Sequence, residues 1–165
     1  MRGRGPGRVL ATAVLTAMAL LPAACSGGDE GAEQTADPEA PEGITVSNAR
    51  LMLAPVSGNP AAVYFDIANT SGRQVMIRSA SVQGAGMAMI HQTATWNLKT
   101  DMQEVFQQPV PAGETVSFAP GGLHVMANDL ADTAAPGGTA EVTLTFVGGD
   151  KISFPAEVRA AGDER

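Results

Sequence analysis

Short segments with alternating apolar and polar residues recur from residue 44 onward, separated by clusters of Gly, Pro, Asn and Ser. Alternation with a period of two is typical of a β-strand with one buried face, and the clusters are typical of turns. No segment there has the 3.6-residue period of an amphipathic helix. The predicted strands are 44–53, 61–69, 74–82, 87–94, 102–106, 115–118, 123–128, 139–147 and 151–158. About nine short strands without helices predict an all-β fold, a β-sandwich of the Ig or cupredoxin type.

One predicted strand carries the chemistry that distinguishes this chain. In LHVMAN, residues 123–128, the side chains of Leu123, Val125 and Ala127 share one face. His124 and Met126 share the opposite face, because side chains two residues apart on a strand point the same way. A histidine and a methionine therefore lie side by side.

The N-terminus has the features of an export signal. The first eight residues contain three arginines and no acid, and residues 9–21 contain no charge. That run suits a signal peptide over residues 1–24 and is too short for a typical transmembrane helix. Small residues precede the single cysteine, Cys25, and resemble a bacterial lipobox, although Pro22 stands where Leu is usual. We favour lipidation at Cys25; the alternative is ordinary signal cleavage that leaves a free thiol.

The rest of the chain divides by composition into a tether, a domain and a tail. Residues 25–43, which begin at the lipidated Cys25, contain six acids among Gly, Pro and Ala and no large apolar residue, which predicts a disordered acidic tether. Residues 44–160 are long enough for one domain, and residues 161–165 form a short polar tail. Residues 44–165 carry seven bases and eleven acids without a basic cluster, so a nucleic-acid partner is not expected.

Both histidines of the chain and two of its methionines follow a fixed spacing, H-x10-M-x21-H-x-M: His91, Met102, His124 and Met126. Imidazole nitrogen and thioether sulfur form a neutral, soft to borderline ligand set. Such a set suits Cu(I), whereas Mg and Ca prefer oxygen and Zn more often takes Cys, His or carboxylate. Methionine also fills gaps in protein cores, so spacing alone leaves open a histidine with incidental methionines.

The spacing is that of the copper motif of the PCuAC family of periplasmic copper chaperones, which this chain resembles. AAVYFDIAN, PVPAGETVSFAPGGLHVM and VTLTF resemble that family's flanking segments, and the resemblance covers about residues 44–158. It implies a cupredoxin-like β-sandwich with His91, Met102, His124 and Met126 as Cu(I) ligands. It further implies delivery of copper to a recipient, such as the copper centre of cytochrome c oxidase or its assembly factors.

The chain departs from the family's pattern at two places, and two further residues lie close to the motif in sequence. Gln92 stands where some members have a second methionine, and the tail AAGDER lacks their Met- and His-rich extension, so one copper site is expected. Met89 shares a predicted strand face with His91 and is a candidate auxiliary ligand, with core packing as the alternative. Trp96, in the predicted loop before Met102, is a candidate shield for copper or contact for a partner protein, with a plain loop or core anchor as the alternative.

Several other functions compete with copper delivery. An electron-transfer cupredoxin needs a Cys thiolate beside two His, and Cys25 lies outside the domain. Sequence motifs for hydrolytic or phosphate chemistry are missing, so we do not expect an enzyme. Envelope copper buffering and a metal-free interaction lipoprotein remain as alternatives. We expect a monomer anchored by lipid to the outer face of a bacterial cell membrane, or a soluble secreted protein if Cys25 is not lipidated.

Overall fold

The structure is a computed structural model that describes residues 39–163. The expected signal peptide, the expected lipidation site Cys25 and nearly all of the expected acidic tether lie outside the described residues, as do the last two residues of the tail. Residues 39–163 form ten β-strands: β1 Ile44–Met52, β2 Ala61–Asn69, β3 Val75–Val82, β4 Met87–Trp96, β5 Lys99–Glu104, β6 Gln108–Val110, β7 Thr115–Phe118, β8 Leu123–Asn128, β9 Thr139–Phe146 and β10 Lys151–Arg159.

The strands join in one sheet that curls around a single core. Their hydrogen-bonded order is β5-β4-β8-β7-β2-β1-β10-β9-β3-β6, and β8 also pairs with β2. Ile90 of β4 and Val125 of β8 belong to the same buried cluster as Ile77 of β3 and Phe146 of β9, near the other end of this order. A curled sheet with a shared interior is a β-sandwich, so the predicted all-β sandwich is confirmed.

Alternation along β2 illustrates how the sequence dictates burial. Every second residue from Ala61 to Asn69 is buried, and the residues between them are partly exposed. Phe65 points inward and stacks on Phe118 of β7, with ring centroids 4.2 Å apart. Burial of such apolar side chains is the main favourable term in folding, at about 25 cal/mol per Å² of apolar surface.

Two strand predictions differ from the structure. Residues 87–104 form a hairpin, β4 and β5, so Trp96 is the last residue of β4 and not part of a loop. Asn97 and Leu98 make its two-residue turn with φ of 50° and 61°, the backbone of a type I′ turn. The turn lacks the glycine that usually signals it, which explains the error.

The sequence predicts nine strands, and the additional strand in the structure is β6. It lies where a turn was expected. Its three residues, Gln108–Val110, pair with β3 at the end of the sheet order. Pro109 cannot donate a backbone hydrogen bond, and edge strands are where a sheet tolerates proline. Short length and proline together made this segment resemble a loop in sequence.

Candidate metal centre

His91 and His124 face each other across neighbouring strands. The register of β4 and β8 places the two residues directly opposite one another. Their ring centroids are 6.0 Å apart, and the ring planes meet at 70°. The two histidines of the chain, far apart in sequence, thus form one pair on the outward face of the sheet.

A tight turn fixes the start of β8 and thereby the position of His124. Gly122 N–H donates to the carbonyl of Ala119 at 3.0 Å. Pro120 occupies the second position of this turn, and Gly121 occupies the third with φ of 78°. These positions define a type II turn, in which the third residue needs a positive φ and is therefore usually glycine.

The same turn orients the His124 ring. Nδ1 of His124 lies 3.1 Å from the carbonyl oxygen of Gly122, which also accepts the backbone N–H of Thr93 at 3.1 Å. Because a carbonyl only accepts, Nδ1 carries a proton, and in the neutral tautomer of this ring the lone pair is on Nε2. His124 is only 6% exposed. A hydrogen bond of this kind from the remote nitrogen is the usual way in which proteins orient a metal-binding imidazole.

His91 lacks the corresponding partner. Its Nδ1 is a buried polar atom with no hydrogen bond among the described residues. Buried polar atoms in native proteins are nearly always paired, and an orphan needs an explanation such as a missing ion. A metal ion held between the two histidines would supply that partner, so the residues present fit the predicted site.

Met126 and Met102 lie on the same face of the sheet as the two histidines. Met126 is two residues beyond His124 on β8 and is half-buried. Met102 on β5 is directly opposite Thr93, which is two residues beyond His91 on β4. Diagonal neighbours of this kind lie about 7–8 Å apart, within reach of a long side chain. All four predicted residues are therefore brought together on three adjacent strands.

The two methionines differ in exposure and position. Met102 is 48% exposed and belongs to β5, the edge strand of the sheet. Met126 belongs to β8, which has neighbours on both sides. The site thus has a buried side, formed by β8, and an open side, formed by β5.

Met89 is directly opposite Met126 in the register of β4 and β8. It is two residues before His91 on the same strand and therefore on the same face. The hydrophobic core of the described part of the chain includes neither Met89 nor Met126. Ile90, on the other face of β4, is the core residue of this strand segment.

Tyr64 borders the site and was not predicted from the sequence. Its ring centroid lies 6.4 Å from that of His124, and the Arg50 guanidinium carbon lies 5.1 Å from its ring centroid. Alternation in AAVYFDIAN places Tyr64 on the outward face of β2, but its proximity to His124 depends on the pairing of β2 with β8. Sequence alternation gives a residue's face, whereas strand pairing decides its neighbours.

Within residues 39–163, no three His, Cys, Asp or Glu side chains group together as a metal site. The same residues contain no helix long and apolar enough to cross a bilayer.

Comparisons with known proteins give a family and a fold. The family model described as "Putative lipoprotein LpqE-like" matches residues 44–158. The chain is 32% identical over 119 residues to "Putative lipoprotein Lxx21020" of Leifsonia xyli subsp. xyli, strain CTCB07, spanning 72% of this chain and 70% of that protein.

Solved structures with similar folds include PCuAC domains and a Cu(I)-bound protein. The copper-bound PCuAC domain from PmoF2 is 24% identical, with a TM-score of 0.59, over 72% of this chain and 93% of that one. The apo PCuAC domain from PmoF1 is 24% identical with a TM-score of 0.61, over 72% and 94%. CuI-DR1885 from Deinococcus radiodurans is 23% identical with a TM-score of 0.56, over 82% and 87%. The cupredoxin-like sandwich is thus the fold of this chain.

Proposed function

We propose that this chain, which belongs to the LpqE-like lipoprotein family, binds one Cu(I) ion outside the cytoplasm and passes it to another protein. The ligands are His91, Met102, His124 and Met126. The copper-bound PmoF2 domain and Cu(I)-DR1885 have the same fold, which supports copper as the cargo. Copper here is carried rather than used, and we assign no catalytic step.

The histidine pair is the observation that carries this proposal. Two imidazoles face each other at 6.0 Å, and one of them has a buried nitrogen without a partner. Two methionines lie on the same face of the same three strands. A histidine pair that served only packing would be expected to satisfy both of its buried nitrogens.

The chemistry of the ligands selects Cu(I) among the common metals. Thioether sulfur and neutral imidazole are soft to borderline donors without charge, which hard cations bind poorly. A neutral ligand set around a monovalent ion also keeps the charge at the site low. A thioether cannot form a disulfide, so methionine is better suited than cysteine to an oxidising compartment.

Exposure of the ligands suggests an order of release. Met102 is 48% exposed on an edge strand, whereas His124 is 6% exposed. A thioether releases Cu(I) without taking up a proton, so a ligand of the recipient is able to replace it directly. Met102 would be replaced first and Met126 next, with the histidines holding the ion in a shared-ligand intermediate.

The N-terminal segment would set the location. Lipidation at Cys25 places the protein on the outer face of the cell membrane, and the acidic residues before β1 act as a tether. A lipidated Cys25 also has no thiolate to compete for copper. The lipoprotein descriptions of the family and of the Leifsonia xyli relative support this arrangement.

The recipient we propose is a copper centre assembled outside the cytoplasm, such as that of cytochrome c oxidase. The test is a deletion strain complemented with the wild type or with His91→Ala/His124→Ala. Oxidase activity is measured at limiting copper, and growth is measured at excess copper. Delivery predicts that the variant fails to restore oxidase activity, provided that immunoblotting finds it at wild-type levels.

Each alternative function gives its own result in this experiment. If the variant restores oxidase activity but not growth in excess copper, the protein buffers copper rather than delivering it. If the variant restores both, the histidines have no copper role, and a metal-free interaction lipoprotein is the remaining function.

A further inference from the structure

Met89 extends the site beyond its four predicted ligands. It lies opposite Met126 across β4 and β8. His91 and His124 form the next opposed pair on the same face, two residues along each strand. Directly opposed side chains have Cβ atoms about 5 Å apart. Two thioethers and two imidazoles thus form two consecutive cross-strand pairs on one face.

Met89 lies on the face of β4 opposite to that of the core residue Ile90. The Met89 side chain is half-buried, and it lies outside the hydrophobic core, which on β4 includes Ile90 and the adjoining Ala88. Both of those residues point to the other face of the strand. Met89 presents a flexible thioether on the same face as His91, whose Nδ1 is buried without a partner among the described residues. A thioether is a ligand that suits a soft metal ion.

The positions of the methionines around the histidine pair differ in one respect. Met89 and Met126 lie on one side of the pair, on β4 and β8. Met102 lies on the other side, on the exposed edge strand β5. Withdrawal of Met102 therefore leaves two thioethers beside the histidines.

We propose that Met89 is a reserve ligand that binds Cu(I) when Met102 is withdrawn. This inference rests on the copper-binding function proposed above. The exchange breaks one copper–sulfur bond and forms another, with no change in the charge or oxidation state of copper. The ion keeps two nitrogens and two sulfurs while a recipient's ligand approaches from the β5 side.

Sulfur counting by copper K-edge X-ray absorption tests the exchange directly. The protein is residues 25–165 with Cys25→Ser, loaded with one equivalent of Cu(I) without oxygen. Four proteins are compared: this parent, Met102→Leu, Met89→Leu/Met102→Leu and the matched control Met87→Leu/Met102→Leu. Met87 shares the strand face of Met89 but lies opposite Asn128, one pair further from the histidines. Leucine nearly conserves the volume of methionine, so packing changes little.

If Met89 is a reserve ligand, copper should have two sulfur neighbours in Met102→Leu and in Met87→Leu/Met102→Leu. It should have one sulfur neighbour in Met89→Leu/Met102→Leu. In competition titrations, Met89→Leu/Met102→Leu should bind Cu(I) about tenfold more weakly than Met102→Leu does. Such a difference is expected for residues that share a partner.

Two results would overturn the inference. A single sulfur in Met102→Leu, with both histidines still bound, removes Met89 as a ligand but leaves the proposed function intact. A parent protein that takes up no Cu(I) removes both.

Discussion

His91 and His124 occupy directly opposed positions on β4 and β8, with ring centroids 6.0 Å apart. One of the two rings is anchored by a hydrogen bond to Gly122, and the other has a buried Nδ1 without a partner. The two rings are therefore positioned opposite each other, but only His124 has a hydrogen-bond partner for its Nδ1.

Replacing His91 with Leu should stabilise the apo protein. The substitution removes a buried nitrogen that has no partner and keeps a side chain of similar size. Leaving such a group unpaired costs about 1–3 kcal/mol, so the free energy of unfolding should rise by about 1 kcal/mol. Urea denaturation without copper measures it.

His124→Leu is the matched comparison, and its effect should have the opposite sign. It removes the Nδ1–H bond to the Gly122 carbonyl, worth about 1 kcal/mol, while Thr93 still satisfies that carbonyl. Equal destabilisation by both substitutions would mean that the Nδ1 of His91 has a partner in solution.

Replacing Gly121 with Ala should destabilise the turn that sets the start of β8. Its φ of 78° is unfavourable for a residue with a Cβ, although an added Cβ would meet no atom within 4 Å. The cost should be about 1 kcal/mol, the usual backbone penalty in this region. Gly72→Ala is the control, because that glycine also has open space but no such positive φ. Similar urea midpoints for the two variants would contradict the account.

Replacing Leu98 with Gly should stabilise the β4–β5 hairpin. Leu98 has φ of 61°, and its side chain is fully exposed, so the strained backbone gains no burial in return. Relief of this strain should raise the free energy of unfolding by about 1 kcal/mol. Leu98→Ala separates the causes, since it removes the apolar side chain and keeps the Cβ. A thermal midpoint that rises as much in Leu98→Ala as in Leu98→Gly would exclude backbone strain.

Asn69 should be a major contributor to stability without affecting copper. The side chain is buried; its Nδ2 donates to the carbonyls of Arg73 and Val110 at 2.8 and 2.9 Å, and its Oδ1 accepts the backbone N–H and hydroxyl of Ser71. Asn69→Ala removes these four hydrogen bonds and leaves the Ser71 hydroxyl only the Arg73 carbonyl as an acceptor, 3.0 Å away, so the substitution should cost about 3 kcal/mol.

Copper affinity of the folded Asn69→Ala protein should be unchanged, because Asn69 is at the opposite end of β2 from Ala62, which pairs with Met126. Chemical denaturation and a Cu(I) titration below the unfolding transition measure the two effects separately. A large loss of affinity with little loss of stability would contradict the account.

Alternation alone was sufficient to predict the sandwich and the shared face of His124 and Met126. Period-two patterns are local, and a strand's two faces follow from its own residues. The pairing of His91 with His124 is not local, because the register between β4 and β8 depends on the whole sheet. The spacing of the motif assigned both histidines to one ligand set only through its resemblance to a family, and it gave no register.

The remaining differences have equally physical causes. The Asn97–Leu98 turn adopts a positive-φ backbone without glycine, so the hairpin that carries Met102 was not predicted from turn residues. Tyr64 approaches His124 only because β2 pairs with β8. Met89 was ambiguous in sequence, since methionine suits both cores and soft metals. It is half-buried and lies outside the core cluster, and its role as a ligand stays a prediction.

An anaerobic Cu(I) competition titration tests the central claim most directly. The protein is residues 25–165 with Cys25→Ser, compared with the same chain carrying His91→Leu/His124→Leu. Circular dichroism establishes that both proteins are folded. The account predicts one tight equivalent in the parent and an affinity at least about 100-fold weaker in the variant, in keeping with the loss of two imidazole ligands. Equal affinities in the two proteins, or no tight equivalent in the parent, would contradict it.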